Sequence, residues 1–166
     1  VPRGNVGGGT GMICHGFKGG SGTASRRLPP ELGGWSVGVF VQVNHGRRHR
    51  LTIAGHALGA DGAPLSAERF PLPYPTAAAG SSSSADDPRG GAGSIIVIVA
   101  TDAPLIATQL DRVAQRAALG IGRVGGVGEH TSGDFALAFS TANSALPTEN
   151  LDPGDRKSTR LNSSHL

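Results

Sequence analysis

Cysteine, aromatic residues and charged residues are all scarce in this sequence. Among 166 residues there is one cysteine, Cys14, and aromatic and charged residues make up 4% and 16% of the chain. A single cysteine excludes an internal disulfide framework and a zinc site built on several thiolates. No apolar run reaches the roughly 18 residues that a membrane-spanning helix needs. Glycine, at 27 positions, is abundant and predicts many turns and close backbone contacts.

The formal net charge of +3 arises largely from the last residues of the chain. Asp155–His165 resembles the conceptual translation of a common sequencing adapter, so we expect residues 155–166 not to be native. Without them, 12 basic and 11 acidic residues remain, which gives a net charge of +1. This balance does not support a nucleic-acid partner.

Three strands are predicted from the hydrophobic pattern. Valines alternate along Ser36–Asn44, so they share one face of a strand. Ser94–Ala100 is rich in β-branched residues and is expected to be a strand buried on both faces. A further short strand is predicted over Phe135–Ser140.

One amphipathic helix is predicted between the last two strands. Thr101 or Asp102 is its expected N-cap, and Gly120 is its expected end. Its apolar residues fall on one face at helical spacing: Ile106, Leu110, Val113 and Ala117. The order of the strands and the helix predicts a mixed α/β class.

Two glycine-rich stretches flank the first of these strands. Residues 1–34 are predicted to form turns rather than regular elements. Residues 59–93 are rich in glycine, proline and serine and are predicted to be a linker, because this composition buries little apolar surface.

The common phosphate-binding, metal-binding and nucleophile motifs are absent from the sequence. The glycines of Gly4–Met12 are not followed by Gly-Lys-Ser or Gly-Lys-Thr, and no Gly-x-Ser-x-Gly elbow occurs. The six histidines do not have the spacing of zinc ligands, so no metal site is predicted. Cys14 next to His15 suggests a thiol nucleophile, but neighbours on a strand point apart, and a buried, unreactive thiol is favoured.

The junction between Gly93 and Ser94 has two interpretations. On composition alone, it is the point where a linker meets a buried strand. It also has the features of a self-cleavage site, since glycine lets the Ser94 hydroxyl approach the preceding carbonyl closely. Cleavage there would give Ser94 a free α-amine, and the same residue would then supply both nucleophile and base.

Four stretches, in this order, resemble the blocks of one enzyme family. Gly4–Arg26 is similar to the glycine-rich signature of the L-aminopeptidase/D-esterase family, the DmpA type that includes the β-peptidyl aminopeptidases. Val41–Arg48 is similar to its second block, Gly93–Leu105 to its cleavage site and nucleophile strand, and Ser132–Asn143 to its fourth block.

The resemblance implies a self-processing serine aminopeptidase. Cleavage after Gly93 would free Ser94 as the N-terminal nucleophile. Asn44 matches the residue that holds the oxyanion, while Ser132 and Asp134 match a pair that would orient Ser94 and hold its amine. Without the resemblance, Asn44 is better explained as a strand-end residue, and Ser132 and Asp134 as parts of an ordinary turn.

The implied fold is an αββα sandwich of the DmpA and ornithine acetyltransferase type, incomplete in this chain. Residues 1–93 would be part of the first processed chain and residues 94–154 part of the second. The implied substrates are small peptides, amides or esters. Metal, organic cofactor, nucleic acid and membrane are not implied. The parent enzyme would be a homo-oligomer of processed α/β heterodimers, and this chain by itself is expected to be inactive.

Two alternatives stay open from the sequence. One is an acyltransferase of the ornithine acetyltransferase type, a family that also cleaves itself but uses threonine where this chain has Ser94. The other is an inactive truncated product.

Overall fold

The computed structural model describes residues 1–72, 93–130 and 132–145. Within these residues the chain forms eight strands and one α-helix. In chain order they are β1 (Ile13–Cys14), β2 (Phe17–Lys18), β3 (Gly20–Arg27), β4 (Ser36–Asn44), β5 (Thr52–Ile53), β6 (His56–Ala57), β7 (Ser94–Thr101), α1 (Ala107–Arg123) and β8 (Phe135–Ser140).

A four-stranded mixed sheet is the main element of the fold. Its strand order is β3-β4-β7-β8. The pairs β3/β4 and β4/β7 are antiparallel, whereas β7 and β8 are parallel and are connected through α1. The remaining strands form two small hairpins, β1/β2 and β5/β6. The described residues thus form a mixed α/β structure, as predicted.

The core lies on one face of this sheet. Ile95, Val97 and Val99 of β7 are buried, and the alternating valines of β4 and the apolar side of α1 pack against them. The opposite face carries Ile96, which is 43% exposed. The prediction that β7 is buried on both faces is therefore wrong for the described residues, since the one described helix covers a single face.

The boundaries of α1 differ from those predicted. The N-cap residue is Ile106, whose N–H donates to the Gln109 side chain at 3.0 Å. Thr101 and Asp102 do not cap it, because both side chains bind the backbone of Ser36 in β4. The helix also continues through Gly120 to Arg123.

The apolar face of α1 is shifted along the helix from the predicted one. Val113, Ala117 and Ile121 pack against the sheet. Ile106 is 37% exposed, because it lies at the N-cap before the first helical turn.

The first glycine-rich stretch contains a regular strand. β3 extends over eight residues and pairs along its whole length with β4, so the prediction of turns alone is wrong there. Close backbone contact does occur at its start. A Cβ on Gly20 would lie 2.1 Å from the carbonyl oxygen of Gly4, and Gly20 has a φ of +118°.

The predicted linker begins as a packed segment. Ser66 is fully buried, and the buried guanidinium of Arg48 donates to the backbone carbonyls of His15, Gly16, Leu65, Ser66 and Phe70. Residues 59–72 are thus held through their backbone carbonyls, and Phe70 adds a ring contact with Phe17. Composition did not indicate this packing. Residues 73–92 and the adapter-like segment 155–166 lie outside the described residues.

The one described helix is not suited to crossing a membrane, because it is too short and too polar.

Candidate active site

The predicted nucleophile lies where two central strands end together. Ser94 is the first residue of β7 and pairs with Asn44, the last residue of β4. Gly93 passes so close to β4 that a Cβ on it would lie 1.9 Å from the carbonyl oxygen of Asn44. Only glycine fits at position 93 without a shift of the backbone.

The turn before β8 reaches the same point. Since β8 runs parallel to β7, the residues that precede β8 lie beside the start of β7. The backbone N–H of Gly133 donates to Ser94 Oγ at 2.9 Å. The Ser132 hydroxyl donates to Asp134 Oδ1, and the same oxygen accepts the N–H of Ile95 at 3.2 Å.

The side-chain amide of Asn44 is held from one side. Its Oδ1 accepts the N–H of Ile13 at 2.9 Å. This hydrogen bond fixes which end of the Asn44 amide is the oxygen. Nδ2, at the other end, is the hydrogen-bond donor.

An ion-pair cluster holds the loop that carries Ser132. Glu129 Oε1 accepts from Arg47 Nε at 2.9 Å and from Arg50 at 2.5 Å. The hydrogen bond from Arg47 is the main cause that lowers the pKa of Glu129. The carbonyl of Glu129 accepts the N–H of Ser132 at 2.7 Å. The ion pairs that fix Glu129 therefore also help to fix the turn that carries Ser132.

Three further side chains that can bind a metal ion, those of Cys14, His15 and His45, follow Ile13 and Asn44 in the sequence. The rings of His15 and His45 meet edge to face with centroids 5.3 Å apart. Burial lowers the pKa of both histidines, and nearby Asp134 partly opposes this for His45. Burial raises the pKa of the half-buried Cys14 thiol to about 11, which keeps it protonated and poorly nucleophilic at neutral pH.

An open groove of about 490 Å³ extends from the site along α1. Ala117 and Ile121 of the helix and Ala136 of β8 supply apolar lining, and Asp134 lies at the edge. The groove therefore combines an apolar surface with two carboxylates, that of Asp111 on α1 and that of Asp134 beside the start of β7.

The structure brings together the four residues singled out from the sequence. Asn44, Ser94, Ser132 and Asp134 all lie at this end of the sheet. The direct hydrogen bond to Ser94 Oγ comes from the backbone of Gly133, whereas the Ser132 hydroxyl binds Asp134. Sequence reasoning did not identify Gly133, because a backbone donor has no side-chain signal.

Several known proteins are similar to this chain in both sequence and fold. The sequence profile of peptidase family S58 matches residues 1–166. The β-peptidyl aminopeptidase BapA of Sphingosinicella microcystinivorans is 48% identical over 143 residues, which are 86% of this chain and 35% of that protein.

Two solved structures give the same result. A β-aminopeptidase of Burkholderia sp. matches with a TM-score of 0.72 and 45% identity, over 92% of this chain and 38% of that one. The L-aminopeptidase D-Ala-esterase/amidase of Ochrobactrum anthropi matches with a TM-score of 0.61 and 41% identity, with the same coverage. The latter is described as a prototype for the serine aminopeptidases and a variant of the Ntn hydrolase fold.

The chain spans little more than a third of the length of these relatives. The resemblance noted from four sequence blocks is confirmed by the family profile, by a relative of high identity and by the shared fold. On these grounds, the chain belongs to peptidase family S58.

Proposed function

We propose that this chain carries the nucleophile of a serine aminopeptidase that cleaves itself between Gly93 and Ser94. The mature enzyme would release N-terminal residues from small peptides, amides or esters. The observation that carries this proposal is the position of Ser94. It begins a central strand, opposite Asn44 and hydrogen-bonded to the turn that bears Asp134.

Self-cleavage needs a hydroxyl beside the carbonyl that precedes it. Ser94 Oγ would attack the carbonyl carbon of Gly93, the C–N bond would break, and the hydroxyl proton would pass to the departing nitrogen. Water would then hydrolyse the ester, leaving a carboxylate on Gly93 and a free amine on Ser94. The tight fit of Gly93 against Asn44 supports this, because it confines the carbonyl next to the nucleophile.

The new amine would lie beside a carboxylate. Asp134 already accepts the N–H of Ile95, the residue that follows Ser94. An α-amine has a reference pKa of about 8 and serves as a general base near neutral pH. Asp134 would hold the protonated form through a charge-assisted hydrogen bond, and the Ser132 hydroxyl would orient that carboxylate.

One side-chain donor suits the negative charge of the transition state, which develops on the carbonyl oxygen of the bond that is cleaved. Asn44 keeps Nδ2 as a donor because Ile13 occupies its oxygen. The N–H of Gly133 instead binds the nucleophile itself, Ser94 Oγ, at 2.9 Å. A preorganised donor at the developing oxyanion contributes about 3 kcal/mol in serine hydrolases, so Asn44 is the expected oxyanion-stabilising residue.

The full αββα sandwich is part of the same proposal. The sheet face away from α1 exposes large apolar side chains: Ile96, Phe135, Leu137 and Phe139. A contiguous apolar face of this kind is expected to be covered by another layer. A second sheet supplied by the rest of the parent enzyme would cover it, and the mature enzyme would form a homo-oligomer of processed α/β heterodimers.

Intact-mass spectrometry tests the cleavage step. The sample is a chimaera in which residues 4–143 replace the matching stretch of the Burkholderia β-aminopeptidase. We expect two chains, the second beginning with Ser94, and a single uncut chain when Ser94→Ala is introduced. The conservative variant Ser94→Thr should still be cut, more slowly.

A single uncut chain in both the parent chimaera and Ser94→Ala would contradict the proposal. Turnover is measured with an aminoacyl p-nitroanilide. Robust acetyl transfer from N-acetylornithine without peptide hydrolysis would favour the acyltransferase alternative. The 166-residue chain by itself is expected to show no turnover.

A further inference from the structure

A cluster of one thiol and two imidazoles lies behind the candidate active site. Cys14 forms an isolated parallel bridge with His45, and the N–H of His15 donates to the carbonyl of His45 at 2.9 Å. Cys14 Sγ and one ring nitrogen from each histidine all lie within 4.8 Å of one another. The fold thus brings together three potential ligand atoms from two chain segments that are 30 residues apart in sequence.

One of these ligand atoms is buried without a partner. His15 is only 3% exposed. Its Nδ1 lies 3.1 Å from the carbonyl oxygen of Arg47, and since a carbonyl only accepts, Nδ1 carries the proton of that hydrogen bond. Nε2 then keeps its lone pair, and it has no hydrogen-bond partner among the described residues. A buried lone pair of this kind is costly unless a cation or a donor reaches it.

We propose that Cys14 Sγ, His45 and the Nε2 atom of His15 bind a Zn²⁺ ion. Zinc is borderline-soft and accepts thiolate and imidazole ligands together in tetrahedral geometry. Three protein ligands leave the fourth position to water or to another small ligand. The hydrogen bond from His15 Nδ1–H to a backbone carbonyl is the outer contact that usually orients a zinc-binding histidine.

The two charges nearest the cluster act in opposite directions on a bound cation. Asp134 lies near His45 and favours a positive charge, whereas the guanidinium of Arg48 near His15 opposes it. A metal ion binds neutral imidazole and thiolate, so binding would release the thiol proton of Cys14.

Sequence spacing gave no sign of this site, because two of its ligands are adjacent residues. Neighbours on an extended strand point apart, but His15 has a φ of +47° and does not follow strand geometry. One of its ring nitrogens lies within 4.8 Å of Cys14 Sγ. None of the three side chains takes part in the proposed hydrolysis, so the site can be tested without an activity assay.

Cobalt titration of the 166-residue chain tests the site. Metal-free protein is titrated with Co²⁺ and then with Zn²⁺, and absorbance is followed in the near ultraviolet and visible. We expect one Co²⁺ per chain, a thiolate-to-cobalt charge-transfer band and displacement by Zn²⁺. Cys14→Ser should abolish the band. His15→Gln and His45→Gln should each weaken binding more than about tenfold, since a lost ligand outweighs a lost outer contact.

The exposed histidines His49 and His56 provide matched controls. His49→Gln and His56→Gln should leave the stoichiometry and the band unchanged. Circular dichroism verifies the fold of every variant. A second measurement on the unmodified chain does not depend on any variant, because Zn²⁺ bound at Cys14 must slow its alkylation by iodoacetamide.

Any of three results would overturn the proposal. The first is a folded chain that gives no charge-transfer band. The second is a band that persists in Cys14→Ser. The third is an alkylation rate that Zn²⁺ does not change.

Discussion

The central sheet has polar side chains at both of its ends, but the two ends use them differently. At the end remote from the candidate active site, Thr101 and Ser140 are buried. The Thr101 hydroxyl donates to the carbonyl of Ser36, and the Ser140 hydroxyl donates to the carbonyl of Ala103. Asp102 accepts the N–H of Ser36 at 2.7 Å. Each of these groups therefore satisfies a backbone atom left over where a strand ends.

At the candidate active site the same residue types are arranged otherwise. Ser94 Oγ accepts a hydrogen bond from Gly133, yet among the residues that the structure describes its own proton has no acceptor. Asp134 is exposed and gathers a hydroxyl and a backbone N–H. A serine whose proton is uncommitted beside an exposed carboxylate suits proton transfer, whereas a serine that donates to a buried carbonyl suits stability.

The largest expected effect is the loss of the nucleophile. In the chimaera, Ser94→Ala should abolish cleavage and lower turnover by at least about 10⁴-fold, because no other group forms the covalent intermediate. Thr101→Val, on the same strand but at the other end, should be cut normally. Intact mass and p-nitroanilide turnover measure both. Cleavage in Ser94→Ala, or loss of cleavage in a folded Thr101→Val, would contradict the distinct roles of the two ends of the sheet.

Asp134→Asn should lower turnover by about 10²-fold, since a neutral amide no longer holds the protonated amine. The matched variant is Asp102→Asn, which changes a carboxylate that only accepts a backbone N–H. Its turnover should equal that of the unmodified chimaera, with a small loss of thermal stability. Equal turnover in the two variants would argue against a role for Asp134.

Gly93→Ala tests how tightly the chain is held at the active-site end. The 166-residue chain with Ser94→Ala serves as background, so that cleavage does not interfere. Because the added Cβ would meet a backbone oxygen at 1.9 Å, we expect a loss of about 2 kcal/mol in the free energy of unfolding. Gly120→Ala in α1 meets nothing within 4 Å and should stabilise by up to about 1 kcal/mol. Urea unfolding measures both, and equal shifts would refute the close contact at Gly93.

The smallest effects are expected at two hydroxyls, that of Ser132 before β8 and that of Ser140 at its end. Ser140→Ala should lower the unfolding free energy by about 1 kcal/mol, because it removes a buried hydrogen bond and leaves the carbonyl of Ala103 with the N–H of Leu105 as its donor. Ser132→Ala should change stability by less than about 0.5 kcal/mol, since its contact is with the exposed Asp134. In the chimaera, turnover should fall in Ser132→Ala alone. A larger loss of stability in Ser132→Ala than in Ser140→Ala would contradict a structural role for Ser140 and a functional role for Ser132.

Sequence reasoning was most successful where side-chain periodicity carries the information. The strands Ser36–Asn44 and Phe135–Ser140 have the predicted bounds, because alternating valines mark the first and a short apolar run marks the second. It missed the strand Gly20–Arg27, in which glycine, serine and threonine give no such alternation and β4 supplies the pairing. Tertiary contacts decide such segments.

The start of the helix and the details of the site were not predicted from the sequence, because they too depend on tertiary contacts. Thr101 and Asp102 have the right chemistry for a cap, but Ser36 on a distant segment takes both. Ser94, Asn44 and Asp134 were found through a resemblance to known proteins rather than through their own pattern. The N–H of Gly133 and the meeting of His15 with His45 depend on register and turn geometry, which no local sequence pattern contains.

Strand β7 is hydrogen-bonded to β4 on one side and to β8 on the other. A chain cut after Gly93 would have β4 in one piece and both β7 and β8 in the other. The ladder from Val37 and Thr101 to Asn44 and Ser94 would then join two molecules instead of two parts of one. Covalent connectivity would become a dissociation equilibrium governed by mass action. The melting temperature of the cut protein should therefore rise with its concentration, while that of the uncut chain should not.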